Sequence, residues 1–375
     1  MPRKIFIIAC EPSGDSHGAH LVQELKKQNP GLEFQGLGGP KMREAGVSLL
    51  HDMTTISALG WSDVVRQYLT YRKIFYAALN ALWKFSPDAV ILIDSPAFNL
   101  RFAKKIKKKI PVIYYIAPQI WAWGGRRIHT IKKTVSKMLV ILPFETEIYE
   151  KAGVPCEFVG HPLVDYPLPP QSRENLRAEL EIKPEERAIG LFPGSRKSEV
   201  KRILPALLDT AARLKQEHPE DLFFLGRSPN VPDCVYEEIL SKSSFKQRDS
   251  KKSFRELVHA IDFAFIASGT ATLEAALLGT PFFLVYKASW TTYFLGKRLI
   301  RVAFLGLVNL LAKKSVVPEF IQYDLHPETM AHEAKVLLEN PDLYEGMKNE
   351  FLEVRKKLGS EGASLRAAKA VLHSI

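Results

Sequence analysis

Cysteine is scarce and unpatterned. The three residues, Cys10, Cys156 and Cys234, form neither a metal-ligand set nor a disulfide framework, which fits a reducing compartment. Long uncharged apolar runs are also missing. No segment reaches the roughly 18 apolar residues that a bilayer-spanning helix needs. The N-terminal MPRKIFIIAC has too short an apolar stretch for a signal peptide. It reads as a first buried strand. The loop after it, EPSGDSHGAH, matches neither GxGxxG nor GxxxxGK[ST], which disfavours a dinucleotide fold and a P-loop nucleotidase.

Acid is absent where base is dense. Ser95 to Phe144 holds no Asp or Glu but 11 Lys or Arg, and Ala275 to Pro318 is a second acid-free stretch. The formal net charge is +11. Single basic runs are commonly solvated helix faces. Two runs that mix bases with bulky apolar residues favour an anionic membrane surface or an acidic ligand. No familiar nucleic-acid-binding motif accompanies them.

What is present is a globular composition, 46% hydrophobic and 25% charged, in 375 residues. That length favours two domains. Short apolar runs recur: Lys4–Cys10, Phe34–Leu37, Ala89–Ile93, Val112–Ile116, Lys137–Leu142 and Cys156–Val159, then Ala188–Phe192, Leu222–Leu225, Phe263–Ala267 and Phe282–Tyr286. Helical patterns lie between many of them, so the chain reads as α/β with parallel sheets covered on both faces. Three prolines in Asp165–Asn175 suggest a linker. The expected division is 1–165, a Pro-rich linker 166–180, a second domain 181–340 and C-terminal helices 341–375 that either return to the first domain or are swapped.

In such sheets ligands bind beyond the carboxyl ends of strands. PGSR (Pro193–Arg196) follows one strand. Gly194 permits close backbone approach, Ser195 offers a hydroxyl and Arg196 a fork of donors, a set suited to phosphate or to an ordinary turn. SGTATLE (Ser268–Glu274) follows another. Its Ser268, Gly269, Thr270, Ala271 and Thr272 could hold an anion at a helix start, or Ser268 could simply cap it. Glu274 could accept two ribose hydroxyls or favour the helix dipole. Asp94 ends a third strand. With Ser95 as N-cap and Pro96 at the first helical position, Asp94 is free for proton transfer or for bonding loop amides. Glu11, Ser13 and Asp15 follow the first strand. PQIWAW carries Trp121 and Trp123 ahead of Arg126 and Arg127, either a substrate wall or a core edge. His17 and His161 are rival bases by type. Asn309 sits in an apolar run and needs partners, internal or from a ligand.

These stretches, in order with GLGGPKMREAG, LPFE, FVGHPL and VPEFIQ, resemble bacterial lipid-A-disaccharide synthase from Ile5 to about Gln322. The resemblance implies a GT-B glycosyltransferase with two Rossmann-like domains facing across a cleft. It implies UDP-2,3-diacylglucosamine and 2,3-diacylglucosamine 1-phosphate (lipid X) as substrates, inversion, and no metal or other cofactor. It places the catalytic base on Asp94, the diphosphate-contacting Arg on Arg196, the ribose-binding Glu on Glu274 and an essential Asn on Asn309, with Glu11 and Ser13 as cleft residues. Together with the loop residues above, the expected nucleotide contacts are Gly194–Arg196, Ser268–Thr272, Glu274 and Asn309, and the expected substrate contacts are Glu11, Ser13, Asp15 and Trp121. The resemblance also implies a cytoplasmic enzyme held peripherally at the inner membrane, and the basic-apolar runs Arg101–Lys109 and Tyr293–Lys314 are the candidate contact faces. Oligomeric state stays open, a homodimer included. Two positions depart from the family: Cys10 where Gly is frequent, and Ala97 where an acid is frequent. UDP-N-acetylglucosamine 2-epimerases and the lipid II transferase share the fold and UDP loops, and a basic membrane or nucleic-acid adaptor would explain the charge alone.

Overall fold

A computed structural model describes residues 3–54, 64–106, 109–290, 293–294 and 302–375, with the backbone alone at 64–68. The chain forms two compact units, Met1–Tyr166 with Leu358–Ile375, and Pro167–Lys357.

The first unit is built on a seven-stranded parallel sheet in the order β3-β2-β1-β4-β5-β6-β7. The strands are β1 Lys4–Ala9, β2 Glu33–Gly38, β3 Ser48–Asp52, β4 Ala89–Ile93, β5 Val112–Tyr115, β6 Lys137–Val140 and β7 Cys156–Phe158. Every residue of β4 and β5 is buried. That is why their sequences are continuous apolar runs rather than alternating ones. The second unit has a six-stranded sheet in the order β10-β9-β8-β11-β12-β13. Its strands are β8 Ala188–Phe192, β9 Leu222–Leu225, β10 Arg248–Asp249, β11 Phe263–Ala267, β12 Phe282–Tyr286 and β13 Glu319–Ile321. All the recorded pairings in the two sheets are parallel.

Each sheet reverses its strand order once. In the first, β1 lies between β2 and β4, with Ala9 beside Ile93. In the second, β8 lies between β9 and β11, with Phe192 beside Ile266. Helices that diverge from such a reversal leave a crevice at the carboxyl ends of its two strands.

The last helix, Ala363–Leu372, packs on the first-unit helix Pro12–Gln28. Asp165 fastens its start. Its carboxylate accepts from the amides of Gly362 at 2.7 Å, Ala363 at 3.1 Å and Ser364 at 3.0 Å, where the helix dipole favours negative charge. Among the described residues no helix is long and apolar enough to cross a membrane. Of the two expected membrane faces, residues 107–108 and 295–301 lie outside the described residues.

Candidate functional site

The reversal in the first sheet brings Glu11 and Asp94 to neighbouring strand ends. Asp94 and Ser95 have φ of 46° and 44°. An Asp tolerates the left-handed region, but a following Ser there is uncommon and costs free energy. The turn is held from below. Asn99 donates to the carbonyls of Ile93 at 2.9 Å and Asp94 at 2.8 Å, and the Tyr114 hydroxyl donates to the same Asp94 carbonyl. These bonds engage the backbone and do not use the Asp94 carboxyl, which is half-buried beyond the end of the strand. An N-cap needs extended backbone, so the expected capping by Ser95 is corrected. Its hydroxyl is buried without a conventional hydrogen bond, beside the Cys10 thiol.

Burial raises the Asp94 pKa from its ordinary 3.8 to about 6, and the Glu11 charge adds to it. A carboxylate so raised is a stronger base that is still ionised at neutral pH. Burial, with Glu11 and Asp94, also pushes the Cys10 thiol up, which keeps it an inert neutral group. The rival bases are quenched. Burial lowers His17 to about 4 and His161 to about 3, and the His161 Nδ1 accepts from the Leu163 amide at 3.2 Å. Glu11 and Ser13 are exposed at the start of the helix Pro12–Gln28.

Asp15 is used differently from the expected substrate contact. It is 2% exposed and accepts from the amides of Gly39, Lys41 and Met42 at 2.7–3.1 Å. It is the anion that satisfies the start of the helix Pro40–Glu44. Trp121 follows β5. Its Nε1 donates to Glu145 Oε1 at 3.1 Å, and its ring meets Phe144 edge-on at 5.1 Å.

The reversal in the second sheet places PGSR and SGTATLE on adjacent strand ends. Gly194 has φ of 117°, and a Cβ there would lie 2.5 Å from Glu199 Oε2. The close approach that only glycine allows is thus to an internal carboxylate. Glu199 accepts from the amides of Ser195 at 3.1 Å and Arg196 at 3.2 Å, closing the start of the helix Lys197–Glu217 from its third position. The Ser195 amide is thus engaged within the protein. The Arg196 guanidinium is 72% exposed and pairs with Glu199 at 3.0 Å. Such an exposed pair is worth little, so the fork is free to change partners.

At the other loop, the helix Thr270–Leu277 begins after Gly269 with no side-chain cap. A Cβ at Gly269 would meet nothing within 4 Å. Ser268 is half-buried, Gly269 and Thr270 are exposed, and Ala271 is half-buried. Thr272 turns inward instead. It is 1% exposed and donates to the Gly269 carbonyl at 2.7 Å. Glu274, one turn in, lies 3.6 Å from Arg255 Nη1.

Asn309 resolves toward internal partners. Its Nδ2 donates to the Val317 carbonyl at 2.7 Å and Glu319 Oε1 at 2.9 Å. Its Oδ1 accepts from the amides of Val316 and Val317 at 2.8 and 2.9 Å. Glu319 in turn accepts from the amides of Leu305 and Gly306, both at 2.9 Å. Asn309 is therefore a latch that fixes the start of the helix Leu307–Ala312. Sequence reasoning gave no role to Glu199, Glu319 or Glu145. Glu145 and Glu319 lie in the motifs LPFE and VPEFIQ, and Glu199 lies three residues past PGSR, and that was the available signal.

Residues 5–373 match a family profile described as lipid-A-disaccharide synthetase. The lipid-A-disaccharide synthase 1 of Legionella pneumophila (strain Lens) is 42% identical over 368 residues, covering 96% of this chain and 94% of that protein. The lipid-A-disaccharide synthase of Geobacter sulfurreducens is 38% identical over 373 residues, covering 99% and 97%. Among solved structures, a UDP-GlcNAc 2-epimerase from Neisseria meningitidis matches with a TM-score of 0.66 at 14% identity, covering 99% of both chains. At that identity the likeness speaks for the two-sheet GT-B fold alone.

Proposed function

Because the chain belongs to the lipid-A-disaccharide synthetase family, we propose a mechanism in which Asp94 is its general base. The chain is a glycosyltransferase of lipid A biosynthesis. It condenses UDP-2,3-diacylglucosamine with 2,3-diacylglucosamine 1-phosphate to give the β(1→6) disaccharide 1-phosphate and UDP. The observation that carries the mechanism is Asp94 itself, a carboxyl at a sheet reversal, on two consecutive left-handed residues, with its pKa raised to about 6.

Asp94 takes the proton of the acceptor 6-hydroxyl as that oxygen attacks the donor's anomeric carbon. The bond to the UDP oxygen breaks in the same displacement, so the centre inverts without a covalent intermediate. Negative charge grows on the diphosphate. Arg196 and the uncapped helix start at Gly269–Ala271 supply fixed positive poles for it, and no metal is invoked. Glu274 takes the ribose hydroxyls. Mass spectrometry of products from UDP-diacylglucosamine plus lipid X tests the reaction. A disaccharide 1-phosphate with stoichiometric UDP is expected, and UDP-dependent epimerisation without condensation would reject it.

Arg196→Ala is expected to weaken UDP binding about tenfold, the scale of one charge-assisted hydrogen bond. Calorimetry showing unchanged affinity would remove the diphosphate contact. Both substrates carry acyl chains, so the protein meets a membrane. We assign part of that contact to the basic stretch around Arg101, Lys104 and Lys105. Reversing those charges should weaken binding to anionic vesicles in a salt-dependent way, and undiminished, salt-insensitive binding would reject the assignment.

A further inference from the structure

We infer that Glu145 is a positioning residue: through Trp121 it holds an aromatic platform for the acceptor sugar beside Asp94. The inference rests on the reaction proposed above. Four consecutive strand ends of the first sheet carry the residues concerned. Glu11 follows β1, Asp94 ends β4, Trp121 follows β5, and Glu145 follows β6. The stretch after β5 is fastened at two points to one helix, Pro143–Lys151. The Tyr149 hydroxyl donates to the Pro118 carbonyl at 3.2 Å. Trp121 Nε1 donates to Glu145 Oε1 at 3.1 Å, while Glu145 Oε2 accepts from the Leu142 amide at 3.2 Å. Phe144, on the same helix, braces the indole edge.

The two tryptophans of this stretch differ. Trp123 is 47% exposed and covered by the Arg127 guanidinium at 4.1 Å. Trp121 is half-buried, with its N–H turned inward and part of its surface open. A ring held in this way suits the apolar face of a sugar.

A capping role alone does not account for Glu145. The glutamates Glu256 and Glu199, which close helix starts from the same position, do that work nearer the surface. Glu145 is 1% exposed, and its recorded hydrogen bonds come from neutral donors. Burial raises its pKa to about 7, and the Asp94 charge adds to the rise. An acid buried without a cation costs free energy, and a second acid near the base adds repulsion. What it gains beyond the cap is a strong acceptor for the Trp121 N–H.

The test is a double-mutant cycle on the full-length enzyme with UDP-diacylglucosamine and lipid X. Trp121→Phe keeps a ring and loses the N–H. Glu145→Gln keeps the side chain's shape and replaces one acceptor by a donor. Each should raise the lipid X KM about tenfold, the scale of one buried hydrogen bond, with kcat within about threefold. The UDP-induced rise in melting temperature should be unchanged. The double variant should be no worse than the worse single, because both act on one contact. An unchanged lipid X KM, or effects that multiply in the double variant, would overturn the inference. If Glu145→Gln does not fold, Trp121→Phe decides alone on the same KM. Absence of wild-type turnover would reject the reaction and this inference with it, whereas an unchanged KM in an active enzyme rejects the inference only.

Discussion

Asp94→Asn should abolish useful turnover and make the protein harder to melt. A general base contributes roughly 10²- to 10⁴-fold, and the amide cannot take the acceptor's proton. Asn also tolerates left-handed backbone, so the turn at 94–95 should survive, and UDP binding by the second unit should be unaffected. The stability change follows from the direction of the pKa shift. Asp94 has a folded value of about 6, above the ordinary 3.8. Its favourable contribution is complete below the unfolded value and is lost as pH rises through about 6. At pH 8 the ionised side chain therefore destabilises the first unit by at most about 3 kcal/mol. The amide never ionises, so the variant should be more stable than wild type at pH 8 and equal to it below about pH 3. This is the stability–activity trade expected where a site holds a group in an unfavourable state. Turnover near the wild-type level, or melting curves that coincide at pH 8, would remove Asp94 from this role.

Asn309→Ala should unfold the second unit more readily while leaving UDP contacts intact. Truncation strands the Val317 carbonyl and the Val316 and Val317 amides, and removes a donor from Glu319. Each buried polar group left unsatisfied costs about 1–3 kcal/mol, so a loss of roughly 3–5 kcal/mol is expected. Well below the melting transition, UDP affinity should stay within about threefold, because the side chain is wholly engaged inside the protein. Asn309→Asp is the sharper variant. It sets a carboxylate where Nδ2 now lies 2.9 Å from Glu319 Oε1, so it should destabilise at least as much at pH 8 and recover part of the loss as either acid protonates. Calorimetric unfolding with and without UDP checks both. A stable Asn309→Ala variant with UDP binding abolished would restore the side chain to the nucleotide site.

The strand ends were the legible part of this sequence. Ten apolar runs gave ten strands, because a strand buried on both faces must be apolar throughout. The three unforeseen strands, Ser48–Asp52, Arg248–Asp249 and Glu319–Ile321, lie at or near the sheet edges or are very short. Packing there is one-sided, so composition leaves no clear trace. Asp94 stood out because it follows an unbroken apolar run. The conformation beneath it did not, since Ser-Pro is equally a good helix start and nothing local announces two left-handed residues. Side-chain partners were the least legible. Ser195, Thr272 and Asn309 have donors and acceptors that suit a nucleotide, and all three make internal bonds. Their partners lie at sequence separations of four, three and eight residues, close enough to be suspected. Choosing between Glu199 and a phosphate still required coordinates.

The pH dependence of kcat/KM for lipid X tests the role of Asp94 most directly, because it reports the ionisation of the free enzyme's base. The acid limb should follow one ionisation near pH 6, as the raised Asp94 requires. In Glu11→Gln that limb should move to lower pH, since the Glu11 charge is one of the two causes of the rise. A limb near pH 4 in the wild type, or one that Glu11→Gln leaves in place, would contradict the assignment of Asp94 as the base.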